Sequence, residues 1–413
     1  MTKRPLPSLS PEARAILRLQ RGLSRRQILS GAGALGLGAV LAACGTKSSS
    51  SGAVDVRPTP AGDTSDADKA VNWANWTLYL DYDDKTKTYP SLEAFGKQTG
   101  IKATYAEDIE DNDSYYGKIQ GQLKNGQDIG KDLITLTDWM AARVIRQGYV
   151  QKLDSANIGN VRKNLLPALQ SVDFDKGRSY SATWQSGFTG LAWNKAALKE
   201  ATGKDKLETV SDLWDPKLKG RIEVLSEMRD TMQLIMLDQG VKTDAFTADN
   251  FGNAIDVLGK QLSNGQIRQV KGNSYKEDLI SGDAIAVIGW SGDITQVNAE
   301  NGDKWAFAIP TAGGALWSDN LMVPIGSPHK KNAEILMNYY YQPEVAAQVA
   351  AYVNYICPVV GAKEEMIKLD PDLAKNTSIF PDDETLKNVH VFRSLTPAEE
   401  TDFSTQFQKA LGV

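Results

Sequence analysis

The sequence predicts an α/β protein built on a covered, mainly parallel sheet, and three observations lead there. The chain has 413 residues, too many for one ordinary core and about right for two lobes with additions. Its 41% hydrophobic and 23% charged content is that of a folded chain, not a disordered one. Strand-like and helix-like segments alternate along it, as they do when helices cover both faces of a sheet.

The elements follow in order. Residues 76–80, Trp-Thr-Leu-Tyr-Leu, read as the first strand. A helix capped at Ser91 runs through Phe95 and stops at Gly100. Residues 101–105 form a strand, 115–123 a helix and 132–136 an apolar strand. A helix over 139–147 ends at Gly148. Further on, Thr247 caps a helix in which Phe251, Ile255, Leu258 and Leu262 share one face. The continuous apolar run 284–290 fits a strand buried on both faces. Residues 305–309 and 321–325 give two more strands. Ala333, Leu336, Met337 and Tyr340 stripe one helix, and Pro343 opens the next, with Val345, Val349 and Tyr352 aligned.

Charge and rare residues bound the chemistry. Two Cys allow at most one disulfide, and two His argue against a His-rich metal centre. The first 43 residues carry seven basic side chains and one acid, or +6, which leaves −11 on the rest against −5 overall. An acidic body disfavours nucleic acid; it suits either a cationic small partner or solubility alone.

The N-terminus reads as an export signal. Arg25 and Arg26 precede Ile28-Leu29 and a run of small and apolar residues up to Ala43, too short to span a bilayer comfortably. The segment from Ser24 to Leu29 resembles a twin-arginine motif, with the general secretory route the alternative. Leu41-Ala42-Ala43-Cys44-Gly45 resembles a bacterial lipobox, in which Cys44 is lipidated after cleavage before it. Acyl chains there would anchor the protein at the outer face of a membrane. Gly31-Ala32-Gly33-Ala34-Leu35-Gly36 matches G-x-G-x-x-G, but no strand precedes it, so a dinucleotide site is rejected. Residues 46–70, rich in Ser, Pro, Gly and Asp, read as a flexible tether.

Nothing marks a catalytic centre. His329 and His390 sit in no recognisable motif, and Cys357, between Ile356 and Pro358, reads as a packed residue. Tyr339-Tyr340-Tyr341 is similar to the tyrosines of ferric-ion-binding proteins but lies within a helix stripe and reads as packing. What stands out is Trp beside acid near strand ends: Asp138-Trp139, Trp290-Ser291-Gly292-Asp293 and Trp317-Ser318-Asp319, with Trp76 opening the first strand. Ligands of open α/β sheets bind beyond the carboxyl ends of strands. Indole faces attract ammonium groups, and carboxylates pair with them. Such a box fits a ligand with ammonium ends and methylene spacers; a sugar, which also stacks on Trp, is the competitor. No cofactor is called for.

From about Asn72 onward the chain resembles the spermidine/putrescine-binding proteins of ABC importers. The resemblance rests on Asn75-Trp76-Thr77, Thr99-Gly100-Ile101-Lys102, Asp132-Leu133-Ile134 before Thr137, Asp212-Leu213-Trp214-Asp215-Pro216 with Lys219-Gly220, Gly313-Gly314 before Trp317 and Asp319, and Pro343 with Val345-Ala346. It implies a type II periplasmic-binding-protein fold, two α/β lobes joined by crossover hinge segments. Residues 1–43 would be the signal peptide and 44–70 the lipidated Cys and tether. Residues 71–183 with 291–342 would form lobe 1, and 184–290 with 343–413 lobe 2. The motifs carry over Trp76, Thr77, Thr137, Trp139, Glu227, Asp230, Trp290, Asp293, Trp317 and Asp319 as ligand-binding residues, with Tyr275 a weaker aromatic candidate. Glu227, Asp230, Asp293 and Asp319 would pair ammonium groups, and Asp293→Asn would weaken binding without moving thermal unfolding. One position departs: Leu78 stands where the family often has an acid, and Asp81 and Asp83 follow it. The implied partners are a polyamine, an ABC importer permease and, through the lipid anchor, a membrane. The implied state is an exported monomer that performs no catalysis. The other readings are a receptor for a sugar, ferric ion or amino-acid-like cation, and an enzyme of the cell envelope.

Overall fold

The computed structural model describes residues 57–412. The export signal, the lipobox and Cys44 lie outside them. The strands are β1 (Ala70–Trp76), β2 (Lys102–Ile109), β3 (Leu133–Thr137), a short hairpin of β4 (Ser171–Val172) and β5 (Asp175–Lys176), β6 (Ala182–Asn194), β7 (Ile222–Leu225), β8 (Ile267–Lys271), β9 (Ala286–Trp290), β10 (Trp305–Ala308), β11 (Gly314–Met322) and β12 (Val389–His390).

All but the hairpin join one sheet in the order β2-β1-β3-β11-β6-β9-β7-β8, with β10 against β6 and β12 against β11. At one end β1 pairs in parallel with β2 and β3; at the other β7 pairs in parallel with β8 and β9. Between these triplets β11 and β6 run antiparallel to each other and to their outer neighbours. The sheet is therefore mixed, where the alternation predicted a mainly parallel one. The two long central strands account for the difference. Helices cover the sheet, as expected for an α/β fold, and Trp73, Leu133, Ile134, Leu191, Val287, Ile288 and Leu321 beneath them are fully or nearly fully buried.

Local signals set most helix ends. The helix Pro90–Thr99 closes on Gly100, whose φ of 71° lies in the left-handed region open to glycine. Ser91 does not cap it; its hydroxyl and backbone N–H both donate to the buried Asp81. Thr247 caps the helix Ala248–Ser263 in a reciprocal box with Asn250. The helix stripe Ala333, Leu336, Met337 and Tyr340 is buried as its spacing predicts.

Three further expectations need correction. The first strand ends at Trp76 instead of beginning there, and Leu78, at φ 57°, lies in the turn beyond it. Strand β6, thirteen residues long and buried in all but the last, was not foreseen. The tether stops short of residue 70. The Ala61 amide donates to the Ile325 carbonyl at 3.0 Å and the Thr64 amide to the Pro328 carbonyl at 2.7 Å. Asp66 pairs with Lys331 at 2.8 Å, and Ser65 is buried. Polar composition alone does not predict this docking, because the hydrogen-bond partners lie some 260 residues away.

The Tyr run is core. Tyr340 packs edge-on against Trp184, the Tyr341 hydroxyl donates to the Thr183 carbonyl at 2.5 Å, and Tyr339 packs on Phe95. Cys357 is buried, and burial pushes its thiol up to about 12.

Candidate functional site: an acidic, indole-walled cavity

The parallel triplets bring their carboxyl ends together. Trp76 ends β1, Thr137 ends β3 and Trp290 ends β9. Glu227 lies just beyond β7, and Trp317 and Asp319 lie on β11 where it passes these ends. These residues, with Thr77, Tyr79, Asp230, Asn273, Asp293 and Tyr355, line one cavity of about 30 Å³. Nine of the eleven sequence-derived ligand-binding candidates thus share a single space.

Its walls are aromatic. Trp76 and Trp290 lie edge to face with centroids 6.1 Å apart, Trp290 and Trp317 at 6.3 Å, and Trp317 and Tyr355 at 5.6 Å. Three glycines make room for these rings and for Tyr275 nearby. A Cβ on Gly187 would sit 2.5 Å from the Trp317 ring, one on Gly292 2.5 Å from the Tyr355 ring, and one on Gly289 3.1 Å from the Tyr275 ring. Gly292 in Trp290-Ser291-Gly292-Asp293 is therefore a packing requirement of this wall.

The acids are held by neutral donors with one exception. Asp319 accepts from the Thr137 hydroxyl at 2.7 Å and the Tyr79 hydroxyl at 2.9 Å. Burial, reinforced by the Asp138 and Asp230 charges, raises its carboxyl to about 7. Asp230, in the first turn of the helix Met228–Asp238, accepts from the Thr189 hydroxyl and from Trp290 Nε1, the latter at 3.2 Å. Burial lifts it to about 6. Glu227 accepts from the Asn112 amide at 2.7 Å and Asn112 Nδ2 at 2.8 Å. Burial, with the Asp111 and Asp230 charges, pushes it well above the usual carboxylate range.

Asp293 is the exception. It accepts from the Tyr275 hydroxyl and the Tyr355 hydroxyl, each at 2.9 Å, and from the Lys276 ammonium at 3.2 Å. Tyr275 therefore stands behind Asp293 and does not line the cavity. Two orphaned polar atoms complete the inventory: Trp76 Nε1 and Asn273 Oδ1 are buried without hydrogen-bond partners.

Trp139 is placed elsewhere. It lines a neighbouring cavity of about 420 Å³, where the Arg229 guanidinium lies 3.9 Å from its ring centroid. Neither Asp81 nor Asp83 takes the place of the acid missing at Leu78. Asp81 is consumed by Ser91 and by Gln348 Nε2 at 2.8 Å, and Asp83 by a local turn. Sequence reasoning missed Tyr79, Asn273 and Tyr355 as cavity residues. Tyr79 lay inside the stretch read as strand, two residues past Thr77, and that proximity was a usable signal. Tyr355 follows Asn354, whose left-handed φ of 59° ends the helix Pro343–Val353, and no local motif points to it.

Strand ends that converge on an acidic, indole-walled cavity suit the binding of a small ligand, and similar proteins are binding proteins by name. Over 324 residues the chain is 27% identical to the spermidine/putrescine-binding periplasmic protein of Escherichia coli K12, covering 78% of this chain and 86% of that protein. It is 27% identical over 330 residues to a putrescine-binding periplasmic protein of the same organism, covering 76% and 83%. Among solved structures, a putative spermidine/putrescine ABC transporter protein from Listeria monocytogenes superposes with a TM-score of 0.71 at 23% identity, over 83% of this chain and 98% of that one. The resemblance seen in the sequence thus extends to whole proteins, and the fold is that of periplasmic solute-binding proteins. Residues 91–380 match the model of one family, and the chain belongs to it: the bacterial extracellular solute-binding proteins.

Proposed function

We propose that this solute-binding protein is an extracytoplasmic receptor that captures a polyamine of the putrescine or spermidine kind and hands it to the permease of an ABC importer. One observation carries the reading: Glu227, Asp230 and Asp319 converge on a cavity walled by Trp76, Trp290 and Trp317, and their hydrogen bonds come from neutral groups. Three crowded carboxylates with no ammonium or guanidinium group hydrogen-bonded to them suit ammonium groups, and indole faces suit both ammonium and methylene. The names of the similar proteins specify the same ligands.

A cavity of about 30 Å³, measured as space for water-sized spheres, holds about two or three waters at roughly 10–15 Å³ each and not a whole alkyl diamine. Admission of an alkyl diamine therefore requires the walls to part. Hinge motion of two lobes about the crossover strands would part them, as in periplasmic binding proteins generally. Capture is reversible and breaks no bond, so the protein acts as a carrier and not as an enzyme. Lipidation at Cys44 would keep the monomer at the outer face of the cytoplasmic membrane, close to its permease.

Thermal unfolding and calorimetry with putrescine, spermidine, maltose, ferric ion and arginine test this. Polyamines should raise the melting temperature by mass action. Stabilisation by one of the other solutes and not by polyamines overturns the proposal.

A further inference from the structure

In the structure the Asp293 carboxylate already holds a cation. Lys276, in the first turn of the helix Tyr275–Ser281, places its ammonium 3.2 Å from Asp293 Oδ1, and both side chains are more than nine-tenths buried. The Tyr355 hydroxyl shares that oxygen and the Tyr275 hydroxyl takes Oδ2. Three donors and one full positive charge leave Asp293 little to offer a ligand ammonium. Such a newcomer would also face the buried Lys276 charge, and like charges brought together in a dry site repel strongly. The other three acids have no such partner: their donors are Asn112, Thr189, Trp290, Thr137 and Tyr79.

A second, independent feature points the same way. The indole N–H of the cavity residue Trp76 is buried and unpartnered. An ammonium group has donors and no acceptor, so it cannot satisfy that N–H; a hydroxyl or an amide carbonyl can. At Leu78, the position after Trp76 and Thr77, the side chain is apolar, and Asp81 is turned away toward Ser91 and Gln348.

Resting on the polyamine reading above, we propose that Lys276 supplies to Asp293 the positive charge that a second ligand ammonium would otherwise bring. The site then selects amines charged at one end, through Glu227, Asp230 and Asp319. It tolerates at the other end a neutral group able to accept a hydrogen bond. Lys276 is accordingly a specificity-determining residue that acts through Asp293.

The test is calorimetry with putrescine, N-acetylputrescine and 4-amino-1-butanol on the wild-type protein, Lys276→Met and Lys276→Gln. The wild type should bind the two singly charged amines within about threefold of putrescine, since one buried charge contact fewer ordinarily costs tenfold or more. Removing the lysine charge should move the preference toward putrescine by about tenfold or more. Wild-type protein that binds putrescine but loses affinity a hundredfold or more for both singly charged amines overturns the proposal, even if neither variant folds. A folded variant with an unchanged preference, judged by its melting temperature and tryptophan emission, overturns it too. Absence of binding by all three amines would sink the polyamine reading itself, and this inference with it.

Discussion

The Thr137 hydroxyl donates to Asp319 Oδ1 at 2.7 Å, joining two residues that are direct partners across the β3–β11 register. This bond belongs to the sheet as much as to the cavity: antiparallel pairing fixes Thr137 opposite Asp319 before any ligand arrives. Thr137→Ala should leave Asp319 with only Tyr79 as donor, raise its carboxyl further and weaken polyamine binding by about three- to tenfold, the net worth of one ordinary hydrogen bond. Thr137→Ser should restore it. Equal losses in both variants would mean the threonine methyl matters and the hydroxyl does not.

Asp319→Asn should weaken putrescine binding by about 2–5 kcal/mol, because it removes a desolvated partner of a desolvated cation. Calorimetry at pH 8, where the wild-type carboxylate is ionised, gives the cleanest comparison. A loss under threefold would remove Asp319 from the site.

The same substitution makes a pH prediction of definite sign. The Asp319 carboxyl is raised to about 7 and Asp230 to about 6, above their ordinary values near 4. A group raised on folding binds more protons in the folded state. Its stabilising contribution is complete below about pH 4 and is lost as pH rises through 6–7. Ligand-free Asp319→Asn should therefore gain in melting temperature relative to wild type between pH 4.5 and 8. Ligand binding needs the ionised form, so wild-type affinity should climb over the same range, with proton release on binding below pH 7. Flat affinity from pH 5.5 to 8 would contradict the raised carboxyls.

The Lys276 contact revises what Asp293→Asn does. The sequence suggested a variant weak in binding and normal in stability. With Lys276 buried against it, the neutralised position leaves an unpaired ammonium, a loss of about 3–5 kcal/mol. Denaturant unfolding should show this, and the double variant with Lys276→Met should recover much of it. Additive losses in the double-mutant cycle would show that the two charges are not coupled.

How much of this was readable in the sequence follows from what each residue contacts. Trp290-Ser291-Gly292-Asp293 and Trp317-Ser318-Asp319 were legible because the aromatic and the acid lie within three residues of each other, the first at the end of β9 and the second within β11, which begins at Gly314 and not at the expected residue 321. Strand β6 was not, because both its faces are covered and no alternation survives. Its Gly187 and Gly190 look like strand breakers, yet they sit where Trp317, Tyr355 and the Ala308 carbonyl press against the backbone. The first strand was read late because Asn72 and Asn75 interrupt its apolar pattern, whereas Trp-Thr-Leu-Tyr-Leu alternates well through what is a turn. Trp139 was assigned to the ligand on chemistry that a protein cation also satisfies: Arg229 lies over its ring. Lys276 carried no signal, since its partner lies seventeen residues on in a different helix.

Glu400, near the start of the C-terminal helix Pro397–Leu411, gives the last prediction. Its carboxylate meets Arg146 at 3.0 Å, Arg143 at 3.2 Å and Arg229 at 3.3 Å, beside the Trp139 cavity. Burial lowers the Arg229 guanidinium to about 10, which marks how dry the cluster is. One acid thus holds together three like charges from two other helices, Asp138–Arg146 and Met228–Asp238. Among the described residues Glu400 is the one acid that touches all three, so in Glu400→Gln they repel at close range, and stability should fall by about 3–5 kcal/mol. The exposed pair Lys368–Glu365, at 2.6 Å, is the control: Glu365→Gln should cost no more than about 1 kcal/mol, since solvent and salt screen such pairs. Raising salt to 0.5 M should erase the small effect and leave most of the large one. If both variants unfold at the same denaturant concentration, the arginine cluster is no more than a surface feature, and the C-terminal helix is held by its apolar face at Phe403 and Phe407 alone.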